Sequence, residues 1–316
     1  MREPIPRFTA DQIIAARTVR NEVDARRAYA ALVEPECNVN RQVVDVATIF
    51  LTNRECPFRC LMCDLWKNTL TKSVEVGDIP YQIRTALQTL SAAREIKLYN
   101  SGNFFDRRAI PREDHAEIAE LVRGFDTVIV ENHPRFCSDD VLRFRDLVAP
   151  AQLEIAIGLE TCHPEVLASL NKSMTLDDFD DAATRLHREG IRTRVFLLQK
   201  PPFLDESEAM DWSLRSLDYA FDRGVDCCVV IPTRSGNGIM EQLAERGDFS
   251  PPSGASMERV AEVGIAMQKG RVFVDLWDAG TLFPCEACRD SRIARLADMN
   301  LTQRSAPSIS CDACSE

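Results

Sequence analysis

Apolar and polar positions alternate in blocks along the chain. The run "VVDVATIFLT" (43–52) reads as a strand buried on both faces, and "EIKLYN" (95–100), "TVIVEN" (127–132), "QLEIAIGLE" (152–160), "TRVFLLQ" (193–199) and "DCCVVIP" (226–232) repeat the pattern. Between them lie segments of helical period, at about 80–93, 112–123 and 138–147. A further helix opens on a Thr175–Asp178 capping box, buries Leu176, Phe179, Ala183 and Leu186, and stops at Gly190. Another carries the stripe Met210, Leu214, Leu217 and Phe221. Residues 10–34 are polar and alanine-rich and predict an amphipathic helix with no strand before it.

Near-continuous apolar strands alternating with helices predict an α/β fold with a parallel sheet covered by helices. Six such units are too few for a closed eight-stranded barrel, so the expectation is a partial (β/α)6 barrel. Its site should lie at the carboxyl ends of the strands. The chain divides into an N-terminal helical extension (1–42), the barrel (43–240) and a cysteine-rich C-terminal region (241–316).

Composition narrows the class without naming a function. The chain has 316 residues, 45% of them hydrophobic and 28% charged, which is ordinary for a globular protein. No apolar run is long enough to span a membrane, and the start "MREPIPRFTADQ" has no signal-peptide pattern, so a cytoplasmic location is expected. A net charge of −11 argues against a broad nucleic-acid surface, although a local basic strip such as "TRVFLLQK" could contact an anion.

Twelve cysteines change the picture. In a reducing compartment they do not predict disulfides. Cys37, Cys137, Cys162, Cys227 and Cys228 read as buried small hydrophobes. The other seven form two spaced groups. Cys56, Cys60 and Cys63 follow the strand 43–52 in "NRECPFRCLMCDLW", one thiolate short of a closed site. Three thiolates on a four-iron cluster leave one iron open, as catalytic metal sites do. A structural zinc site with a distant fourth ligand is the plainer alternative.

The second group, "PCEACRD" (284–290) with "SCDACSE" (310–316), places Cys285, Cys288, Cys311 and Cys314 as paired CxxC knuckles. Four thiolates close a tetrahedral set and suit structural Zn2+, with a second iron–sulfur cluster as the rival. Such a site would pin the tail across the open side of the barrel. The four histidines show no metal spacing; His133 alone falls on the strand-end face. Trp66 and Trp277 read as packing residues.

The CxxxCxxC spacing on a loop after the first barrel strand resembles the radical S-adenosylmethionine (SAM) superfamily. That resemblance implies a [4Fe-4S] cluster on Cys56, Cys60 and Cys63 and SAM on the open iron, with Met62 against the adenine. "YNSGNFFD" sits where the superfamily carries a glycine-rich segment at the SAM amino group, which implies Ser101, Gly102 and Asn103. "VENHP" is similar to a Glu-x-x-Pro segment of the MiaB-like branch and points to Glu131. Glu160 of "IGLET" is placed for ribose hydroxyls, and Arg194 and Lys200 for the SAM carboxylate.

The stretch from "GLETCHPEVLASLNKSMT" through "LLQKPPFLDESEAM" resembles the radical SAM subunit of archaeosine synthase and its bacterial relatives. The likeness implies C–N cleavage of a deazaguanine-type adduct in tRNA, a tRNA-binding partner subunit, and a reductant such as flavodoxin or ferredoxin. The segment "IPTRSGNGIMEQL" departs from that pattern. Two alternatives stay open, a free small metabolite as substrate and a non-catalytic cluster- or zinc-bearing subunit.

Overall fold

A computed structural model describes residues 4–314. Its centre is one eight-stranded sheet whose spatial order follows the sequence, from β1 to β8. The strands are β1 (Ala30–Cys37), β2 (Val43–Phe50), β3 (Glu95–Tyr99), β4 (Thr127–Asn132), β5 (Gln152–Glu160), β6 (Arg192–Gln199), β7 (Cys227–Pro232) and β8 (Arg271–Val274). From β2 to β8 every pairing is parallel, and β1 returns antiparallel on β2.

The six strands expected from the apolar runs are all present. The sheet extends beyond them on both sides. Four-residue "RVFV" becomes β8, so the sheet continues past residue 240. On the other side, the helix expected over 10–34 is confined to α1 (Ala10–Ala15), and residues 30–37 form β1 instead. Pairing overrides the helical propensity of "AYAALVE" because the turn 38–42 folds this segment back on β2, from Ala30 opposite Phe50 to Cys37 opposite Val43. Asn38 Oδ1 accepts the amides of Asn40 and Gln42 in that turn. Pro35 is tolerated because β1 is an edge strand.

Helices α2 (Asp78–Leu87), α3 (His115–Val122), α4 (Asp139–Val148) and α6 (Leu176–Arg188) cover the sheet's outer face over β2–β5. There Ile49, Ile96, Val128 and Ile155 pack against Ile79, Ile83, Ile118 and Phe144. Helices α7 (Glu206–Phe221), α9 (Gly254–Ala266) and α10 (Arg289–Thr302) cover the β6–β8 half. Two shorter helices, α5 (Pro164–Ser169) and α8 (Ile239–Glu245), lie near the strand ends.

The free edge of β8 is covered by side chains. Gln303 exchanges hydrogen bonds with the N–H and C=O of Val272, and Asn300 does the same for Val274. Two amides thus stand in for a ninth strand, blunting an edge that could otherwise template further pairing. The sheet curls without closing, and across the gap a side chain of β8, Arg271, donates to the carbonyl of Cys37 in β1.

Inside the curl the strands present polar and aromatic residues in layers, as period-two alternation requires. Towards the amino ends, Glu36, Lys97, Glu154, Arg194 and Arg271 form a buried ion cluster. Above it, Tyr99 lies edge-on to Phe50 and Phe196. The carboxyl ends above that layer carry the cysteine loop. Among the described residues no helix is long and apolar enough to cross a membrane.

Candidate active site and a second cysteine centre

The cysteine loop leaves β2 and is tied down on every side. Glu55 and Leu70 pair with the neighbouring backbone, with Leu70 N–H donating to Asn53 O at 2.8 Å and Glu55 N–H to Leu70 O at 2.9 Å. Leu61 N–H donates to Leu170 O at 2.8 Å. Asn171 Nδ2 holds the carbonyl of Arg59, and Asn237 Nδ2 holds those of Leu61 and Cys63. Lys67 reaches the carbonyl of Gly236. Loops from β5, β7 and the segment before α6 therefore fix where the three thiols stand.

Glu55 receives Arg17, Arg20 and Arg59 together. Burial alone would raise its pKa; the hydrogen bonds from Arg20 and Arg17 overcome this and hold it below the usual carboxylate range. Arg17 and Arg20 also stack on Trp66, which is buried as expected. Trp277 is not buried. It is 66% exposed at the carboxyl end of β8.

The thiols are poor acids in this setting. Burial pushes Cys60 up to about 12, opposed by the Lys172 ammonium. Cys63 is raised by burial and then by Cys60 and Cys56. Cys56 is raised by burial, while the Phe58 amide and Asn103 Nδ2, 3.2 Å from Cys56 Sγ, oppose the shift. Three thiols held neutral in a shielded pocket would ionise together only around a cation, which is what a metal centre supplies.

Several expected residues converge here. Asn103 touches Cys56, and Gly102 lies beside it, a Cβ at Gly102 falling 3.5 Å from Cys56 Cβ. Ser101 adopts a left-handed φ of 52° and places its hydroxyl 3.0 Å from that of Tyr29. Glu131 sits under this loop, its Oε2 accepting Asn100 N–H at 2.8 Å, with the amides of Gly102 and Ser101 also bonded to it. Burial nevertheless raises Glu131 to about 7 against those three donors. Met62 is half-buried, packed between the apolar clusters of α5 and α8.

Glu160 ends β5 with a left-handed φ of 67° and bonds Lys172 Nζ at 2.7 Å in a buried pair. Gly158 is required for that pair. A Cβ there would lie 2.2 Å from Glu160 Oε1 and 2.6 Å from Lys172 Nζ. His133 donates from Nε2 to Lys172 O at 3.1 Å, because its Nδ1 accepts the Arg135 amide. Its ring stacks on Phe58 at 4.0 Å, and burial lowers it to about 3, so it stays neutral.

Arg194 lies elsewhere, and Lys200 has other partners. Arg194 lies toward the amino end of β6, fully buried, with Glu154 at 2.7 Å and Glu36 at 2.6 Å. The aromatic layer separates it from the cysteine loop, so it does not face a ligand there. Lys200 is at the strand end but is consumed by Glu206 at 2.7 Å, Ser250 at 2.9 Å and the carbonyl of Pro251. Besides Arg59, a cation beside the thiols is Lys172, which lies in a connection that no strand pattern marks.

Three strand ends also carry buried acceptors without a partner among the described residues, Asn100 Oδ1, Asn132 Oδ1 and Gln199 Oε1. By strand alternation they fall on the helix-covered side with Leu98, Val130 and Leu197, where Asn132 Nδ2 contacts Cys137 Sγ and Gln199 Nε2 contacts Ser256.

The second cysteine group closes as its spacing predicts. The sulfurs of Cys285, Cys288, Cys311 and Cys314 all lie within 4.8 Å of one another. Cys285 and Cys311 are 3.9 Å apart, and Cys288 and Cys314 3.8 Å. A tetrahedron with Zn–S of about 2.3 Å has an edge of about 3.8 Å. A four-iron cube would spread its cysteines further. Arg295, paired with Glu258 and Glu262 of α9, holds the carbonyls of Ala306 and Pro307, and so anchors the segment leading to the second knuckle. Ser315 and Glu316 lie outside the described residues.

No family model matches the chain. The chain is 28% identical over 204 residues to archaeosine synthase subunit beta of Methanosarcina acetivorans, covering 61% of this chain and 58% of that protein. It is 27% identical over 162 residues to the subunit of the same name from Thermococcus kodakarensis, covering half of each. The chain thus spans little more than half the length of these named relatives. An uncharacterised Methanocaldococcus jannaschii protein matches over more, 25% identical across 90% of this chain and 84% of its own.

Among solved structures, Methanocaldococcus infernus Elp3 aligns with a TM-score of 0.52 at 14% identity, over 70% of this chain and 59% of that one. Streptococcus suis SuiB, solved with its precursor peptide SuiA, aligns at 0.52 and 12% identity over 71% and 47%. These two likenesses establish the fold. The archaeosine synthase subunits, Elp3 and SuiB are radical SAM superfamily proteins.

Proposed function

We propose that this member of the radical SAM superfamily holds a [4Fe-4S] cluster on Cys56, Cys60 and Cys63, binds SAM across the strand ends, and acts on a deazaguanine-type adduct in tRNA. Bound there, cluster and SAM supply an electron and a 5′-deoxyadenosyl radical for hydrogen abstraction from substrate. The observation that carries the reading is the three-thiol loop with Lys172 beside it, Asn103 on Cys56 and the 100–102 loop held by Glu131.

The chain's own residues divide the work. Lys172 is the cation for the SAM carboxylate, held ready by Glu160. Glu131 shapes the 100–102 loop from below, so that Ser101, Gly102 and Asn103 present their edge to the SAM amino group. Met62 offers a soft apolar contact to adenine. Glu160 keeps one carboxylate oxygen for a ribose hydroxyl. The four C-terminal cysteines hold zinc as a structural brace. Similarity to archaeosine synthase subunit beta supports the tRNA substrate and a partner subunit. The net charge of −11 favours the rival, a free polar metabolite.

The test is anaerobic cluster reconstitution followed by reduction with SAM and adduct-bearing tRNA. Deoxyadenosine should appear, and tRNA should lose the adduct. Cys60→Ala should abolish both together with the cluster absorbance, because two thiolates cannot hold it. SAM cleavage at a comparable rate by that variant would sink the assignment. Turnover of a free metabolite with no effect of tRNA would replace the substrate.

A further inference from the structure

Four arginines crowd the rim beside the cysteine loop of a chain whose net charge is −11. Arg107, Arg108 and Arg112 lie on the connection from β3 to α3, and Arg143 on α4. Three of them converge on one carboxylate. Arg107 lies 2.8 Å from Asp140, Arg143 2.8 Å and Arg112 3.2 Å. Arg108 pairs with Asp106 at 3.2 Å.

Both carboxylates are covered, at 6% side-chain exposure, whereas the four arginine side chains are 42–61% exposed. A carboxylate offers about four lone-pair sites and each guanidinium about five N–H donors. The acids beneath therefore cannot satisfy the donors above them. Glu113 is an exposed carboxylate on the same connection, and Asp139 is engaged by Arg185. The outward surface remains cationic.

Its place ties it to the site. Arg107 and Arg108 follow Asn103, the residue on Cys56, through a turn in which Asp106 N–H donates to Asn103 O at 3.2 Å. Arg108 is braced by Asp106, three residues past Asn103. Planar guanidinium groups braced from below, at fixed positions on a rim, suit phosphate oxygens better than flexible lysines would.

We propose that Arg107, Arg108, Arg112 and Arg143 form a docking surface for the phosphodiester backbone of RNA, seating the strand that carries the reacting nucleotide. This rests on the tRNA reading above. It also reconciles that reading with the acidic chain, since a few fixed contacts suffice when the rest of the surface repels non-specific binding.

The test is tRNA binding to the reconstituted full chain, followed by fluorescence anisotropy at several salt concentrations. The wild-type chain should bind at low salt. The Arg108→Ala/Arg143→Ala variant should show a log K against log salt slope shallower by about 0.7–0.9 for each phosphate it no longer neutralises. Asp140→Asn, which leaves every arginine in place and removes a negative charge, should tighten binding. Equal slopes in the variant and wild type, or no wild-type binding at low salt, overturns the docking surface.

Deoxyadenosine release stimulated by adduct-bearing tRNA tests the substrate separately. Stimulation with unchanged slopes overturns the surface alone. Shifted slopes without stimulation support the surface and overturn the substrate.

Discussion

Lys172 shows why residue chemistry was only partly legible in the sequence. The resemblance carried by the thiol spacing implied Ser101, Gly102, Asn103, Glu131 and Glu160, and the structure sets Gly102 and Asn103 beside Cys56. Lys172 stands in no strand, and only the return of its loop against β5 brings its ammonium to Glu160. Arg194 and Lys200 offered the right charge at the wrong depth or with the wrong partners. If Lys172 serves the SAM carboxylate, Lys172→Met should weaken SAM binding about 10- to 100-fold, the worth of one charged hydrogen bond. Equilibrium dialysis on reconstituted protein measures it, and Lys172→Arg should recover part of the loss. Unchanged affinity would leave Lys172 a structural partner of Glu160.

Glu131 makes a prediction of opposite character. Its folded pKa is raised to about 7 by burial, above its ordinary value of 4.5. The folded state therefore holds that proton more tightly than the unfolded chain, and stability falls as pH rises from about 4.5 to 7. The contribution is at most about 3 kcal/mol, and less for a side chain that solvent partly reaches. Urea midpoints across that window should decline less steeply in Glu131→Gln than in the wild-type chain. Identical profiles would show that Glu131 titrates in its ordinary range.

At the scale of elements, what the sequence conveyed depended on how locally each element is determined. The Thr175–Asp178 capping box and the stop at Gly190 bound α6 as read, because caps are satisfied within a turn. β1 was illegible because its segment "AYAALVE" has a helical composition and becomes a strand only through pairing with β2. β8 was missed because four residues give too short an apolar run, and its outer edge is completed by Asn300 of α10 and Gln303 at that helix's C-cap rather than by a strand. The residue at that helix's N-cap is Cys288, one of the four clustered thiols. Cys285→Ser with Cys288→Ser should therefore do more than release about one zinc per chain. It should loosen α10 and uncover β8, seen as faster amide exchange at Val272 and Val274. Zinc loss with unchanged protection there would separate the metal from the sheet edge.

The whole molecule depends on a sheet that curls without closing, and the interior ion cluster is what its two ends share. Glu36 comes from the antiparallel edge strand, Glu154 and Arg194 from the middle, and Arg271 from β8. Sequence patterning marks six of the seven parallel strands but not this cluster, since a charged residue inside an apolar run looks like an exception until its partners are known. Arg194→Met leaves Glu154 with Arg271 and Glu36 with Lys97, each short of one cation in a buried setting. Removing one partner of such a group costs about 3–5 kcal/mol. The thermal or urea midpoint should fall accordingly. SAM affinity of the folded, reconstituted variant should stay unchanged, because the aromatic layer lies between Arg194 and the thiols. The Arg194→Met/Glu36→Gln double variant should lose less than the sum of its singles, since it removes a charge of each sign. A specific loss of SAM binding with little loss of stability would return Arg194 to the ligand site.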